Sequence, residues 1–322
     1  MIARLAALLI AALAPSAALA QPRQKPLFAD TAMLRLTITG PIAEVAQTGG
    51  VNRPPRDALL TVSGAVPETL PIQLSPRGIT RLKRDVCQFS PLRVSFVRAP
   101  GRDSLFSGQK QLKLVTHCRA TPSFQQYVLL EYAAYRLYNQ LTPLSFRARL
   151  ALIDYVGPDK RPLATRIGFM IEDLGDVATR NAMRRAAVGE RVTTSQLSGT
   201  DAARVALFEY MISNLDWSMR AAPAGERCCH NARLLAGANP AGNFAPVPYD
   251  FDFSGLVNPP YAVTPEGVAN VRERRYRGLC AHNSEALAMA GVFRSKHSAL
   301  LGVLNEVALD EPVRRRAAAY LE

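Results

Sequence analysis

The amino-acid sequence predicts an α+β protein of two lobes, strand-rich in its first half and helix-rich in its second. Three observations point there. Period-two alternation recurs between Thr31 and Thr116, one long amphipathic helix follows Thr121, and helical spacing takes over after Gly175. The expected boundaries are a leader at 1–20, a β-rich lobe at 28–172 and a helical lobe at 173–322. The length of 322 residues suits two domains of ordinary size. With 48% apolar and 20% charged residues and no low-complexity tract, the composition excludes a disordered, collagen-like or coiled-coil chain.

The leader is read from Met1 to Ala20. Arg4 precedes an apolar run broken at Pro15, and Ala18-Leu19-Ala20 offers the small–x–small pattern of a signal-peptidase site. A retained N-terminal anchor is the competing reading. No later segment approaches the ~20 continuous apolar residues that span a bilayer, so an exported protein, periplasmic or secreted, is expected. Five cysteines fit an oxidising compartment. Cys87–Cys118 is one expected disulfide, and one of Cys228 and Cys229 with Cys280 is the other. Zinc is not expected, because there is no C-x-x-C pair and the histidines lack ligand spacing.

Strands are expected at Met33–Ile38, which ends at Gly40-Pro41, and at Leu70–Leu74 and Leu92–Val97, which flank the turn Ser75-Pro76-Arg77-Gly78. Gln111–Thr116 alternates as well. A helix opens with Thr121 as cap and Pro122 at its first position and ends before Pro143. Phe146–Val156 and Arg166–Glu172 read as strands. Thr200-Asp201 opens a helix over Ala202–Ser213, where Val205, Phe208, Met211 and Ile212 recur at helical spacing. Ala232–Leu235 and Phe244–Tyr249 read as short strands, and Ser284–Leu321 as two or three helices.

Four sets of residues can carry chemistry. On the helix after Pro122, Phe124, Val128, Glu131, Tyr135 and Tyr138 fall within about 40° either side of one line. Glu131 thus sits in an aromatic stripe, where an unpaired buried carboxylate costs several kcal/mol, of order. Lys113, opposite in phase to Leu112 and Leu114, turns away from the core and is the expected partner of Glu131. Such a pair can position phosphate oxygens; a structural ion pair, or a Glu131 that reaches solvent, fits the same spacing. Asp216, in Asn214-Leu215-Asp216-Trp217, follows a helix end, where it can serve as a general base or simply shape a turn. Asn231, after Cys229 and His230, offers an amide oxygen to a hard cation, while His230 is as well explained by a structural hydrogen bond. Asp250 and Asp252, bracketing Phe251 at a strand end, can hold a divalent cation against phosphate.

The order of these residues resembles that of the bacterial spore-coat H (CotH) kinase-like family, a divergent branch of the protein-kinase-like fold, over about Met33 to Leu256. Arg77-Gly78-Ile79-Thr80 is similar to the family's Arg-Gly-Asn-Ser turn over the nucleotide, with Ile79 where that turn carries a polar residue. Gln109–Leu114 and Leu130-Glu131-Tyr132 look like its strand lysine and helix glutamate, and Gly168–Glu172 like the segment joining its lobes. Asn214-Leu215-Asp216, His230-Asn231 and Asp250-Phe251-Asp252 look like its catalytic loop and metal-binding acids, though fourteen residues separate Asp216 from Asn231 and Trp217 replaces a basic residue. The resemblance implies a two-lobed protein-kinase-like fold that binds ATP with magnesium or manganese. It implies that Arg77, Gly78, Thr80 and Lys113 bind the nucleotide, that Glu131 orients Lys113, and that Asp216 is the base. Asn231 and Asp250 or Asp252 would hold the metal.

The formal net charge of +13 falls to +12 once residues 1–20, with Arg4 and no acid, are removed. Arg272, Arg274, Arg275, Arg277 and Arg314–Arg316 favour acidic partners: nucleotides, an acidic or protein acceptor, or an anionic envelope surface. No aromatic–basic interleaving argues for nucleic acid. Exported compartments hold little ATP, which opposes the phosphotransfer reading. Two rivals follow: a binding module with the chemistry lost, and a sugar-nucleotide transferase using Asp250 and Asp252 as a metal clamp.

Overall fold

Alternating apolar residues in the first half do form strands, and these strands close on themselves. The computed structural model describes residues 25–47, 53–64, 67–239 and 241–322; the expected leader, Met1–Ala20, lies outside them. In chain order the elements are β1 (Leu34–Thr39), α1 (Ile42–Gln47), β2 (Arg56–Val62), β3 (Glu68–Pro76), β4 (Leu92–Phe96) and β5 (Gln111–Val115). Then come α2 (Pro122–Leu141), β6 (Ala148–Val156), β7 (Pro162–Ile171), α3 (Leu174–Arg180), β8 (Arg184–Arg185) and α4 (Gly199–Met211). The chain finishes with β9 (Ala232–Ala236), β10 (Ala245–Pro248), α5 (Asn283–Ser295), α6 (His297–Glu306) and α7 (Glu311–Leu321).

The seven strands order as β1-β2-β3-β4-β5-β7-β6 in a closed, mixed barrel. Closure is the parallel pairing of β1 with β6, which sets Leu36 opposite Ile153 and Ile38 opposite Tyr155; the other pairs are antiparallel. Leu36, Ile38, Leu60, Ile72, Leu74, Val94, Leu112, Leu114 and Ile153 fill the interior, each at most 2% exposed. Gly168 lets β7 approach β5, since a Cβ there would lie 2.6 Å from the Val115 carbonyl oxygen.

This closed barrel overturns the expected two-lobed protein-kinase-like fold with a helix-rich second half. The second half is only partly helical. It carries the three-stranded sheet β8-β9-β10, and 249–279 holds neither helix nor strand. The physical reason lies in what alternation encodes: which face of a strand is buried, but not which distant strand supplies its ladder partner. A second apolar cluster joins both sides of residue 172, packing α2, Phe169 and Ile171 against Val205, Phe208, Phe251, Val303 and Leu304.

α2 begins and ends as its punctuation predicts, with Pro122 in its first turn, although Thr121 makes no side-chain capping bond. Cys87 and Cys118 are joined, with their Cα atoms 4.6 Å apart. The second expected pairing is corrected. Cys228 and Cys229 bridge each other inside the loop before β9, at 5% and 2% exposure, whereas Cys280 is free and exposed. Among the described residues no helix is long and apolar enough to cross a membrane, which together with the disulfides is compatible with export.

Candidate functional site

The site starts from one buried carboxylate. α2 turns Glu131 inward beside Tyr135 and leaves it 1% exposed, which excludes the solvent-reaching alternative. A charge so placed needs a cation, and the structure supplies Arg81 rather than Lys113. Arg81 stands on a 3-10 turn, Thr80–Leu82, just beyond β3. Its Nη1 lies 3.4 Å from Glu131 Oε2, its Nε 3.3 Å from Asp252 Oδ2 and its Nη2 4.0 Å from Asp250 Oδ1. The expected Lys113–Glu131 pair is therefore corrected. Lys113 does leave the barrel interior, opposite Leu112 and Leu114, but its Nζ sits 5.2 Å from the centre of the Tyr249 ring.

One guanidinium thus serves three carboxylates. Burial pushes the Glu131 carboxyl well above the ordinary glutamate range, against the pull of Arg81. Burial raises Asp252 in the same way, again opposed by Arg81. Glu131 Oε1 finds no hydrogen-bond partner. The two aspartates play different parts: the Asp252 side chain is 7% exposed and engaged by Arg81, while that of Asp250 is 39% exposed. Asp250 adopts φ +66°, a left-handed conformation that aspartate tolerates, and its backbone N–H donates to the Tyr135 hydroxyl at 3.0 Å.

A second group surrounds Asp216 in the loop after α4. Asn214 Oδ1 accepts the Asp216 N–H at 3.0 Å, and the Asn214 carbonyl accepts from the Trp217 indole at 2.9 Å. His230 Nε2 lies 2.7 Å from Asp216 Oδ1. Asn231 Nδ2 donates to Asp216 Oδ2 at 3.0 Å and to its backbone carbonyl at 2.6 Å. The hydrogen bond to Asp216 holds the His230 pKa above its ordinary value, with burial opposing. Asp216 and His230 are both open to solvent, their side chains 38% and 39% exposed. The Tyr249 N–H donates to the Asn231 carbonyl at 3.0 Å, tying this loop to the end of β10 and so to Asp250.

The fourteen residues between Asp216 and Asn231 therefore form an excursion that returns His230 and Asn231 to the aspartate. Of the predicted nucleotide turn, Gly78 supplies a left-handed φ of +97° and Ile79 is 76% exposed. Thr80 opens the 3-10 turn, and the Arg77 backbone N–H donates to the Pro91 carbonyl at 2.9 Å. Arg81, one residue beyond that turn, is the group that sequence reasoning missed. Its signal was present: a glutamate in an aromatic stripe demands a cation, and arginine is better suited than lysine to serve several carboxylates at once.

Asn231, Asp250 and Asp252 provide the hard oxygen donors that magnesium or manganese prefers. Asn231 spends both amide hydrogens on Asp216, and among the described residues no donor meets its Oδ1. Asp250 has the open carboxylate, whereas Asp252 Oδ2 is held by Arg81. By donor chemistry, Asn231 Oδ1 and the open Asp250 carboxylate are the groups that would meet a divalent cation here, Asp252 being engaged by Arg81. Among the described residues no three His, Cys, Asp or Glu side chains form a metal-holding group on their own. Neither a protein-family model nor a curated protein matches the chain.

Proposed function

We propose that this chain is an exported phosphotransferase that takes phosphate from ATP, with magnesium or manganese, and passes it to a hydroxyl of a protein or small acceptor. The observation that carries the reading is the continuity of Asp216, Asn231, Asp250 and Arg81, drawn from four separate stretches of chain into one network. The order of Asp216, Asn231 and Asp250 along the chain, which resembles that of the CotH kinase-like family, also supports it; that family's two-lobed fold and lysine–glutamate pair do not carry over.

In this reading Asp216 accepts the acceptor's proton. His230 on one carboxylate oxygen and Asn231 on the other hold its orientation. Asn231 and Asp250 would hold the divalent cation, which would supply charge neutralisation at the phosphates. Arg81 keeps Asp252 and Asp250 in place and ties them to Glu131. Lys113 and Arg77 meet phosphate oxygens.

The test is transfer of labelled γ-phosphate by the purified protein with magnesium or manganese. Label on the protein or on an added acceptor should fall at least about a hundredfold in Asp216→Ala, the lower end of what a positioned base contributes. Label that persists in that variant refutes the assignment. A second reading, a binding module of the cell envelope with the chemistry lost, is favoured by Arg81 standing among the three carboxylates; it predicts neither label nor an ATP-dependent thermal shift. A shift with sugar nucleotides but not ATP would favour the glycosyl-transfer rival.

A further inference from the structure

A cavity of about 300 Å³ opens beside the Asp216 loop. Trp217, Met219 and Val192 form its floor, each at most 5% exposed. Three exposed arginines, Arg191, Arg220 and Arg277, also line it. Two backbone segments set this arrangement: Arg191 and Ala221 form an isolated antiparallel bridge, and the Val192 N–H donates to the Arg220 carbonyl at 3.0 Å. Arg277 comes from the irregular stretch before α5. It donates to the Leu215 carbonyl, and its guanidinium centre lies 5.5 Å from the centre of the Trp217 ring. Trp217 follows Asp216 directly, and the Ser218 N–H donates to the His230 carbonyl at 2.9 Å, so the cavity adjoins the proposed base.

No carboxylate lines this cavity. Among the described residues none of the three arginines makes an ion pair, and the Arg191 and Arg220 side chains make no hydrogen bond. The acids around them are engaged elsewhere. Asp216 is held by His230 and Asn231, Glu190 Oε1 accepts the Gly225 N–H at 3.1 Å, and Glu226 faces His230. Glu209 faces Arg277 but is wholly enclosed, and burial pushes its carboxyl well above the ordinary glutamate range. An apolar floor ringed by arginines can anchor one apolar side chain and pair with the carboxylates that flank it.

We propose that this cavity is the acceptor's docking site and takes an acidic peptide segment, with an apolar side chain on Trp217 and carboxylates on Arg191, Arg220 and Arg277. The proposal deepens the phosphotransfer reading and rests on it only in calling the peptide an acceptor. Trp217 is the chain's single tryptophan, so its fluorescence reports occupancy of the cavity. The probe is the synthetic peptide Glu-Glu-Leu-Ser-Glu-Glu, blocked at both ends and titrated into the full protein without ATP or divalent cations. Its counterpart carries Gln in place of every Glu. The acidic peptide should change Trp217 emission and bind at least about tenfold more tightly than the counterpart, because exposed ion pairs are weak singly but several act together. Added salt should erase most of that difference. Arg191→Glu combined with Arg220→Glu should abolish the preference and favour a peptide with Lys in the same places. Arg220→Gln alone should weaken the acidic peptide several-fold, which preserves the test should the double reversal fail to fold.

An unchanged Trp217 emission, equal affinity for the Gln counterpart, or an unaltered preference in the arginine variants each overturns the proposal. The two readings fail separately. A peptide that binds as expected but whose serine never receives phosphate from ATP sinks the phosphotransfer reading alone. Transfer to the serine of both peptides with the same KM sinks the acidic docking site alone.

Discussion

The barrel and the region beneath α2 are built on opposite principles. Inside the barrel, Leu, Ile and Val side chains from successive strands meet, and none of the buried carboxylates Glu131, Glu172, Glu209 and Asp252 lies on a barrel strand. Beneath α2, Glu131, Asp252 and Arg81 lie buried together, with Glu209 fully enclosed nearby at the end of α4. The first arrangement gains from apolar burial alone. The second carries desolvation costs that well-packed apolar residues would avoid. Buried charge that must be matched, carboxylate by guanidinium, is what distinguishes the α2 region from the barrel.

The largest expected effect separates the two regions. Arg81→Met strands two buried carboxylates and should destabilise the protein by about 3–5 kcal/mol in urea unfolding. Leu74→Ala in the barrel should cost about 2–5 kcal/mol through its cavity. Similar size hides different causes: adding Glu131→Gln and Asp252→Asn to Arg81→Met should recover most of the loss, whereas the same pair should not rescue Leu74→Ala. Equal rescue in both backgrounds would erase the distinction.

Lys113→Met gives a smaller effect of opposite sign. The pKa of Lys113 is lowered to about 8, so the folded state binds its proton less well than the unfolded chain does. Its charged form costs stability below pH 8, and that cost fades as pH rises toward the ordinary lysine value. The variant should be more stable by roughly 1–3 kcal/mol at pH 7, with the gain vanishing near pH 10 to 11. A destabilised Lys113→Met at pH 7 would mean that Lys113 is a structural cation, as the barrel's neighbours are structural apolar groups.

The mildest test concerns slope. Burial raises the Glu131 pKa, so the folded state holds that proton more tightly than the unfolded state. The resulting stability is full below the ordinary glutamate pKa and is lost as pH rises through the raised one. Glu131→Gln cannot titrate, so its stability relative to the parent should climb with pH from about pH 4.5 upward. Parallel stability–pH curves would remove Glu131 from the account.

Much of this contrast was legible beforehand. The stripe Phe124-Val128-Glu131-Tyr135-Tyr138 put Glu131 on the aromatic face, leaving open whether it met a cation or reached solvent, and the alternation of Gln111–Val115 announced that Lys113 turns out of the barrel. The Cys87–Cys118 bridge followed from the grouping of cysteines along the chain. The identity of Glu131's partner did not follow, because spacing along α2 does not say which distant cation reaches it. The Cys228–Cys229 bridge did not follow either, since it depends on Cys280 being held at the surface, away from the buried loop.

The sequence by itself determined which face of each strand and helix is apolar, where α2 starts and stops, and which residue types are offered for chemistry. Those properties are local, set by side-chain periods of 2 and 3.6 and by the backbone demands of proline and glycine. Tertiary structure alone decided that β1 pairs with β6 and that Arg81 meets a glutamate 50 residues away and an aspartate farther still along the chain. Such partners are chosen when loops close and charges leave water together, a long-range balance that no local period records.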